Sequence, residues 1–169
     1  MNRLLTVYDD KEPLNNVVSA LSLEFDEVIF IYHHEEYKNT FSNIKSVINK
    51  YKDIDIKFIQ IEDDEYVNEL IDKDTTIDVG AAKYLSLKLF DIAKNNNINI
   101  IYYDDEEGTI KDYNNHSIIK EDVFKLSIED VLRLRGGQIQ GNMHKKFTDK
   151  ISKQTIIDLF ENNLDNYSN

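Results

Sequence analysis

The segment Asp78-Val79-Gly80-Ala81-Ala82-Lys83 carries the clearest chemical potential in the chain. Small residues where a strand turns into a helix let a phosphate approach free backbone N–H groups. A lysine in the first helical turn adds positive charge where the helix dipole already favours an anion. The spacing is neither a Walker loop nor G-x-G-x-x-G, and the same residues also suit a tight turn whose alanines pack the helix on the sheet. Residues 9–16, with Asp10, Glu12, Asn15 and Asn16, offer a complementary chemistry. An asparagine both donates and accepts, so it can read a base edge or a ribose. Acidic side chains repel a phosphate and suit hydroxyls or an exocyclic amine. Either asparagine can equally solvate the first turn of a helix.

Other chemistry-bearing residues combine less well. His33-His34-Glu35-Glu36 has metal-ligating types, but adjacent residues on an extended segment point to opposite sides and no further ligand follows at helical spacing. It reads as a solvated loop. Glu62-Asp63-Asp64-Glu65 and Asp104-Asp105-Glu106-Glu107 read as exposed acidic turns without the spacing of a calcium loop. His116 and His144 are isolated in sequence, and no serine sits on a nucleophile turn. With no cysteine in the chain, thiolate catalysis, disulfides and Cys-based metal sites are excluded. No catalytic residue, metal site or cofactor is assigned from the residues.

The elements that must position these loops follow from hydrophobic spacing. Strands are expected at 3–8, 27–32, 54–61, 75–79 and 98–103. Helices are expected at 14–23 behind Pro13, 35–51, 66–71 and 81–94. Glu27 to Tyr32 is almost continuously apolar, as in a strand covered on both faces. This alternation with short connections predicts an α/β, Rossmann-like, three-layer domain with a mostly parallel sheet and right-handed crossovers. An antiparallel edge extension is expected where Gly108 separates Ile100–Tyr103 from Thr109–Tyr113. Ser127 with Asp130 three residues on predicts a capped helix to Leu134, stopped by Gly136. Residues 136–146 read as an irregular loop, and Thr155 to Leu164 as a last amphipathic helix. The domain is expected to span 1–140, with a helical extension over 141–169. In such a sheet, ligands bind beyond the carboxyl ends of the strands.

At 169 residues the chain suits one domain with a real core. No apolar run reaches the ~18 residues of a membrane span, and no signal-peptide core precedes the first strand. The expected protein is soluble and cytoplasmic. A net charge of -12 opposes broad binding to long nucleic acid, yet leaves room for one small anionic ligand in a local pocket.

These residues, in this order, resemble the CARF (CRISPR-associated Rossmann fold) domains, most of all the sensor half of CARF–nuclease effectors of type III CRISPR systems. The resemblance runs over roughly residues 3–140 through EPLNNVV, DEVIFIYH, DVGAAKYLSLKLFDIA and LSIEDVLRLRGGQI. The family pattern S-D-Q-P-x-P-N corresponds to Asp10, Lys11, Glu12, Pro13, Leu14, Asn15 and Asn16, keeping the proline and the last asparagine. The pattern T-G-G-T-K corresponds to Val79, Gly80, Ala81, Ala82 and Lys83, keeping the first glycine and the lysine. Two threonine hydroxyls are absent here, and a glutamate replaces a neutral amide.

The resemblance implies a homodimer that binds cyclic oligoadenylate, cyclic tetraadenylate foremost, across its two-fold axis in CRISPR antiviral signalling. Asp10, Glu12, Asn15, Asn16, Gly80, Ala81, Ala82 and Lys83 would face the ligand. It also implies that an effector domain usually follows the sensor. Residues beyond 140 are too few for a restriction-type nuclease core, so the chain reads as a sensor alone or the N-terminal piece of a longer protein. The leading expectation is a binding module rather than an enzyme. One alternative is a ring nuclease that positions a ribose 2′-OH in line with the phosphate while Lys83 stabilises developing charge. The other is a structural dimerisation domain with a vestigial pocket.

Overall fold

Alternation along the first strand builds both faces of the core at once. In β1 (Arg3–Val7) and the residue after it, Leu4, Thr6 and Tyr8 turn one way and Leu5 and Val7 the other, and all are buried. The computed structural model describes residues 1–9, 11–34, 38–80 and 84–136. The unit described here runs Met1–Arg135, and a second, Gly136–Asn169, lies outside the described residues apart from Gly136. Asp10, Ala81, Ala82 and Lys83, all but Gly136 of the loop expected at 136–146, and the helix expected at 155–164 therefore fall outside that description, Gly136 itself being the last residue of a helix.

The remaining elements are α1 (Pro13–Ser22), β2 (Glu27–Tyr32), α2 (Lys38–Tyr51), β3 (Asp55–Gln60), a 3-10 helix (Asp64–Leu70), β4 (Thr75–Asp78), α3 (Tyr84–Asn96), β5 (Asn99–Asp104), β6 (Thr109–Asp112), β7 (Ile118–Lys120) and α4 (Ile128–Gly136). They form a seven-stranded sheet of order β3-β2-β1-β4-β5-β6-β7. β1 to β5 run parallel, and β6 and β7 add antiparallel at one edge. Val17, Ala20 and Leu21 of α1 and Phe41, Ile44, Val47 and Ile48 of α2 cover one face, joined by Leu134 of α4. Leu85, Leu89, Ile92 and Ala93 of α3 cover the other with Val67 and Leu70 of the 3-10 helix. The fold is the three-layer α/β architecture expected from the sequence. Each of the valine, leucine, isoleucine and phenylalanine side chains among them contributes about 1.5–3 kcal/mol of transfer free energy when fully buried.

Three elements depart from expectation for local reasons. The helix expected at 66–71 is a 3-10 helix that starts two residues earlier, because the Asp63 carboxylate accepts the Glu65 N–H (3.0 Å) and caps it there. α3 continues to Asn96 rather than stopping near Lys94. Asn97 takes φ 59 and the Ile98 N–H returns to the Ala93 carbonyl at 3.0 Å, the closing bond of a Schellman motif. β7 was not foreseen at all. Its three residues are exposed, too short to show a period, and follow a turn with His116 at φ 56.

α4 begins as the sequence predicts. Ser127 Oγ accepts the Asp130 N–H (3.2 Å) and Asp130 returns the contact to the Ser127 N–H (3.4 Å), a reciprocal capping box. The buried Asp130 carboxylate also accepts from Lys50 (3.1 Å) and Tyr51, which ties α4 to α2. α4 thereby reaches the mouth of the sheet, where Arg135 lies 3.5 Å from Glu12.

Candidate functional site

β1 and β4 are neighbours, with Thr6 opposite Asp78, yet the chain leaves them toward opposite faces of the sheet. From β1 it passes to α1, and from β4 it passes to α3. A crevice opens at this switch point, beyond the carboxyl ends of the strands. The two loops that sequence reasoning singled out flank it.

Asp9 shapes the first loop. Its carboxylate, 8% exposed, accepts the Lys11 N–H (2.9 Å) and the Glu12 N–H (3.3 Å), a turn that delivers Pro13 to the first helical position. Glu12 stands exposed at the helix start and offers no cap to it. Its carboxylate is paired with Arg135 instead, which offsets the negative charge that would oppose a phosphate. Asn15 is half-buried, whereas Asn16 is 1% exposed. The Asn16 amide donates to the Val7 carbonyl (2.9 Å) and to Thr6, so its donors hold α1 against the end of β1.

The second loop comes within touching distance of the first. A Cβ built on Gly80 would lie 3.7 Å from Asn15 Cβ and 3.0 Å from Asp78 Oδ1, which accepts the Gly80 N–H at 2.8 Å. Glycine here answers a need for close approach rather than for an unusual backbone angle. α3 starts at Tyr84, so its N-terminal end lies at the carboxyl edge of the sheet, where its dipole favours an anion. Asn15 and Gly80 thus meet at the carboxyl edge of the sheet, with Glu12 exposed at the start of α1 and Asn16 buried beneath them. Asp10, Ala81, Ala82 and Lys83 lie outside the described residues.

Sequence reasoning named Asp78 only as the start of the loop segment and gave it no role of its own; it lies beneath this junction. It is 1% exposed, and burial pushes its carboxyl up to about 6 against the opposing pull of the Ser19 hydroxyl and the Gly80 N–H. The Ser19 hydroxyl also lies 3.4 Å from the Asn15 carbonyl, a second acceptor for its one proton. Asp78 Oδ2 and Asn16 Oδ1 are both buried without a hydrogen-bond partner among the described residues.

A second cluster was also missed. His33 follows β2, and its Nε2 lies 3.5 Å from Asp64 Oδ1. Tyr84 donates its hydroxyl to Asp64 Oδ2 at 3.0 Å and stacks on His33, with centroids 6.1 Å apart and planes 27° apart. Val7, Tyr8, Tyr32, His33, His34, Tyr84 and Leu85 line a hollow of about 190 Å³. The readable signals were the place of His33 after a parallel strand and of Tyr84 directly after Lys83. Among the described residues no group of three His, Asp or Glu side chains is placed to hold a metal ion. No described helix is long and apolar enough to cross a membrane.

Strand order, parallel register and helices on both faces together define a Rossmann-like α/β domain. Two solved structures share this fold. One is Can2 from Sulfobacillus thermosulfidooxidans in complex with cyclic tetra-adenylate, with a TM-score of 0.62 and 18% identity over 72% of this chain and 36% of Can2. The other is protein VC1899 from Vibrio cholerae, with a TM-score of 0.64 and 13% identity over 79% of this chain and 39% of VC1899. The likeness therefore spans little more than a third of either protein's length. No protein-family model matches the sequence, and no curated protein matches it.

Proposed function

We propose that this domain senses a cyclic oligoadenylate, with cyclic tetra-adenylate the first candidate, as the signal-binding part of a cytoplasmic CRISPR antiviral response. The observation that supports the reading is the approach of Gly80 to Asn15 across the β1–β4 switch point, which brings the loops after β1 and β4 together at the carboxyl ends of the strands. The shared fold of Can2, itself seen with cyclic tetra-adenylate, supports that choice of ligand. Backbone N–H groups of Ala81 and Ala82 and the Lys83 ammonium hold phosphate in this proposal; Gly80, expected from the sequence to donate as well, gives room for the approach, because its own N–H is held by Asp78 at 2.8 Å. Asp10, Glu12 and Asn15 meet ribose or adenine, and Asn16 fixes the loop from beneath. Two copies of the domain pair with their crevices about a two-fold axis, so one cyclic ligand serves two chains. The domain spans 1–140, with 141–169 as an extension of it, and a longer protein would carry an effector as well.

Calorimetry with cyclic tetra-adenylate tests the assignment. A charge-assisted contact is worth roughly 1.5–3 kcal/mol, so Lys83→Ala is expected to weaken binding about ten- to a hundred-fold. Lys88→Ala, more than a helical turn further along α3, is expected to change little. The stoichiometry should be one ligand per two chains, with the ligand recovered intact. Equal effects of the two substitutions would remove Lys83 from the site. Failure of the unaltered protein to bind cyclic oligoadenylates of any ring size would end the ligand reading.

A further inference from the structure

We propose that His33, Tyr84 and Asp64 form a subsite for the base of an adenine nucleotide, with Tyr84 as the stacking surface and Asp64 as the acceptor for the base's amine. The inference extends the ligand reading above but stands on a separate cluster. Tyr84 is 62% exposed and opens α3, and in the chain it directly follows the segment proposed to hold phosphate. A tyrosine there buries little of itself and adds little to the core. Its orientation is nonetheless fixed twice, by the bond to Asp64 (3.0 Å) and by the near-parallel ring of His33. His33 is fixed in turn, with its ring held toward Asp64 and its backbone carbonyl accepting the Gln60 side-chain amide at 3.1 Å. A flat, exposed, pre-oriented aromatic face at the edge of a hollow, here one of about 190 Å³, is what base stacking requires.

Charge selects which part of a nucleotide can lie there. Asp64 belongs to the acidic turn Glu62-Asp63-Asp64-Glu65, and Gln60, Glu62, Asp63 and Glu65 line a neighbouring hollow. That surface repels phosphate and favours N–H donors. Each Asp64 oxygen already has one partner and keeps a second lone-pair direction for an incoming amine. Phosphate on the 80–83 side and an amine-bearing base on the 62–65 side match the two ends of an adenine nucleotide.

The experiment pairs two probes. Binding of cyclic tetra-adenylate is measured by calorimetry for the unaltered protein, Tyr84→Ala, Tyr84→Phe and Lys83→Ala. Stacking of AMP and UMP is followed by NMR through the base protons. Tyr84→Ala is expected to weaken the cyclic ligand by about five- to a hundred-fold, the range one stacked base is worth. Tyr84→Phe should keep most of that affinity, and thermal unfolding should be unchanged in both because the ring is exposed. AMP should show upfield shifts of its adenine protons that UMP lacks and that Tyr84→Ala abolishes. If the cyclic ligand binds and Lys83→Ala weakens it while Tyr84→Ala does not, the subsite is wrong and the ligand reading survives. If no cyclic oligoadenylate binds but AMP stacks on Tyr84, the subsite stands and the ligand reading falls. Loss of neither AMP shift nor cyclic-ligand affinity in Tyr84→Ala overturns the subsite outright.

Discussion

Glu27→Ala is expected to destabilise the domain by about 3–5 kcal/mol, the cost of stranding a buried ion pair. Glu27 opens β2, is 1% exposed, and lies between two cations. Arg3 Nε reaches its Oε2 at 2.5 Å, and Lys57 of β3 donates to its other oxygen. Burial alone would push this carboxyl up, but the hydrogen bonds from Lys57 and Arg3 outweigh it and hold the group below its ordinary value of 4.5. Because the folded form is the stronger acid, its stabilising contribution is complete above that ordinary value. It is lost as pH falls through the lower, folded value. Removing the carboxylate leaves Arg3, 21% exposed, with its charge half-buried, while Lys57 turns to water and Asp55. Urea unfolding at pH 7 should show the loss, and the gap between variant and unaltered protein should narrow in acid. Glu27 is at the amino end of the strands, away from the crevice, so ligand affinity should be unchanged where the variant is folded. A difference below about 1 kcal/mol at pH 7 would show that the pair is not the buried lock described here.

This lock and the crevice differ in how readable they were. The core of the sheet could be read because β2 is an unbroken apolar run, the mark of a strand covered on both faces. The start of α4 could be read because Ser127 and Asp130 satisfy each other within one turn. Gly80 stood out because a small residue at a strand-to-helix turn has a local meaning. Arg3 and Glu27 are 24 residues apart, and their pairing follows from parallel register, which no short window contains. The same is true of Tyr84 and Asp64, 20 residues apart, and of His33, which looked like half of a dipeptide until the fold set it against both. Asn16 was read as a ligand contact on its residue type. Its amide bonds to Thr6 and Val7 depend on how α1 lies over β1, and that is a property of packing.

Asp78 was hidden for a related reason, since an aspartate at a strand end, two residues before a glycine, reads as a turn residue and not as a buried acid. Its substitution gives the second large expected effect. The unfolded group has its ordinary value of 3.8 and burial raises the folded value to about 6. Folding therefore favours the protonated form, and ionisation is penalised in the native state. Asp78→Asn should be close in stability to the unaltered protein at pH 4. It should then grow more stable by comparison as pH rises from 4 to 6, with the gap reaching about 3 kcal/mol above pH 7 at ~1.36 kcal/mol per pH unit. The asparagine oxygen still accepts the Gly80 N–H, now 2.8 Å from Asp78 Oδ1, so the loop keeps its anchor. The same acid holds Gly80, the first residue of the segment proposed to hold phosphate, and an anion bound there raises its proton affinity further. Ligand binding near neutral pH is then expected to take up protons and to tighten as pH falls from 7.5 toward 5.5. Calorimetry in two buffers of different ionisation enthalpy measures that uptake directly. Asp78→Asn should abolish it and bind more tightly than the unaltered protein at pH 7.5. Parallel stability curves for the two proteins between pH 4 and 7 would mean that Asp78 is ionised without penalty in the fold, and the coupling to the crevice would fall with it.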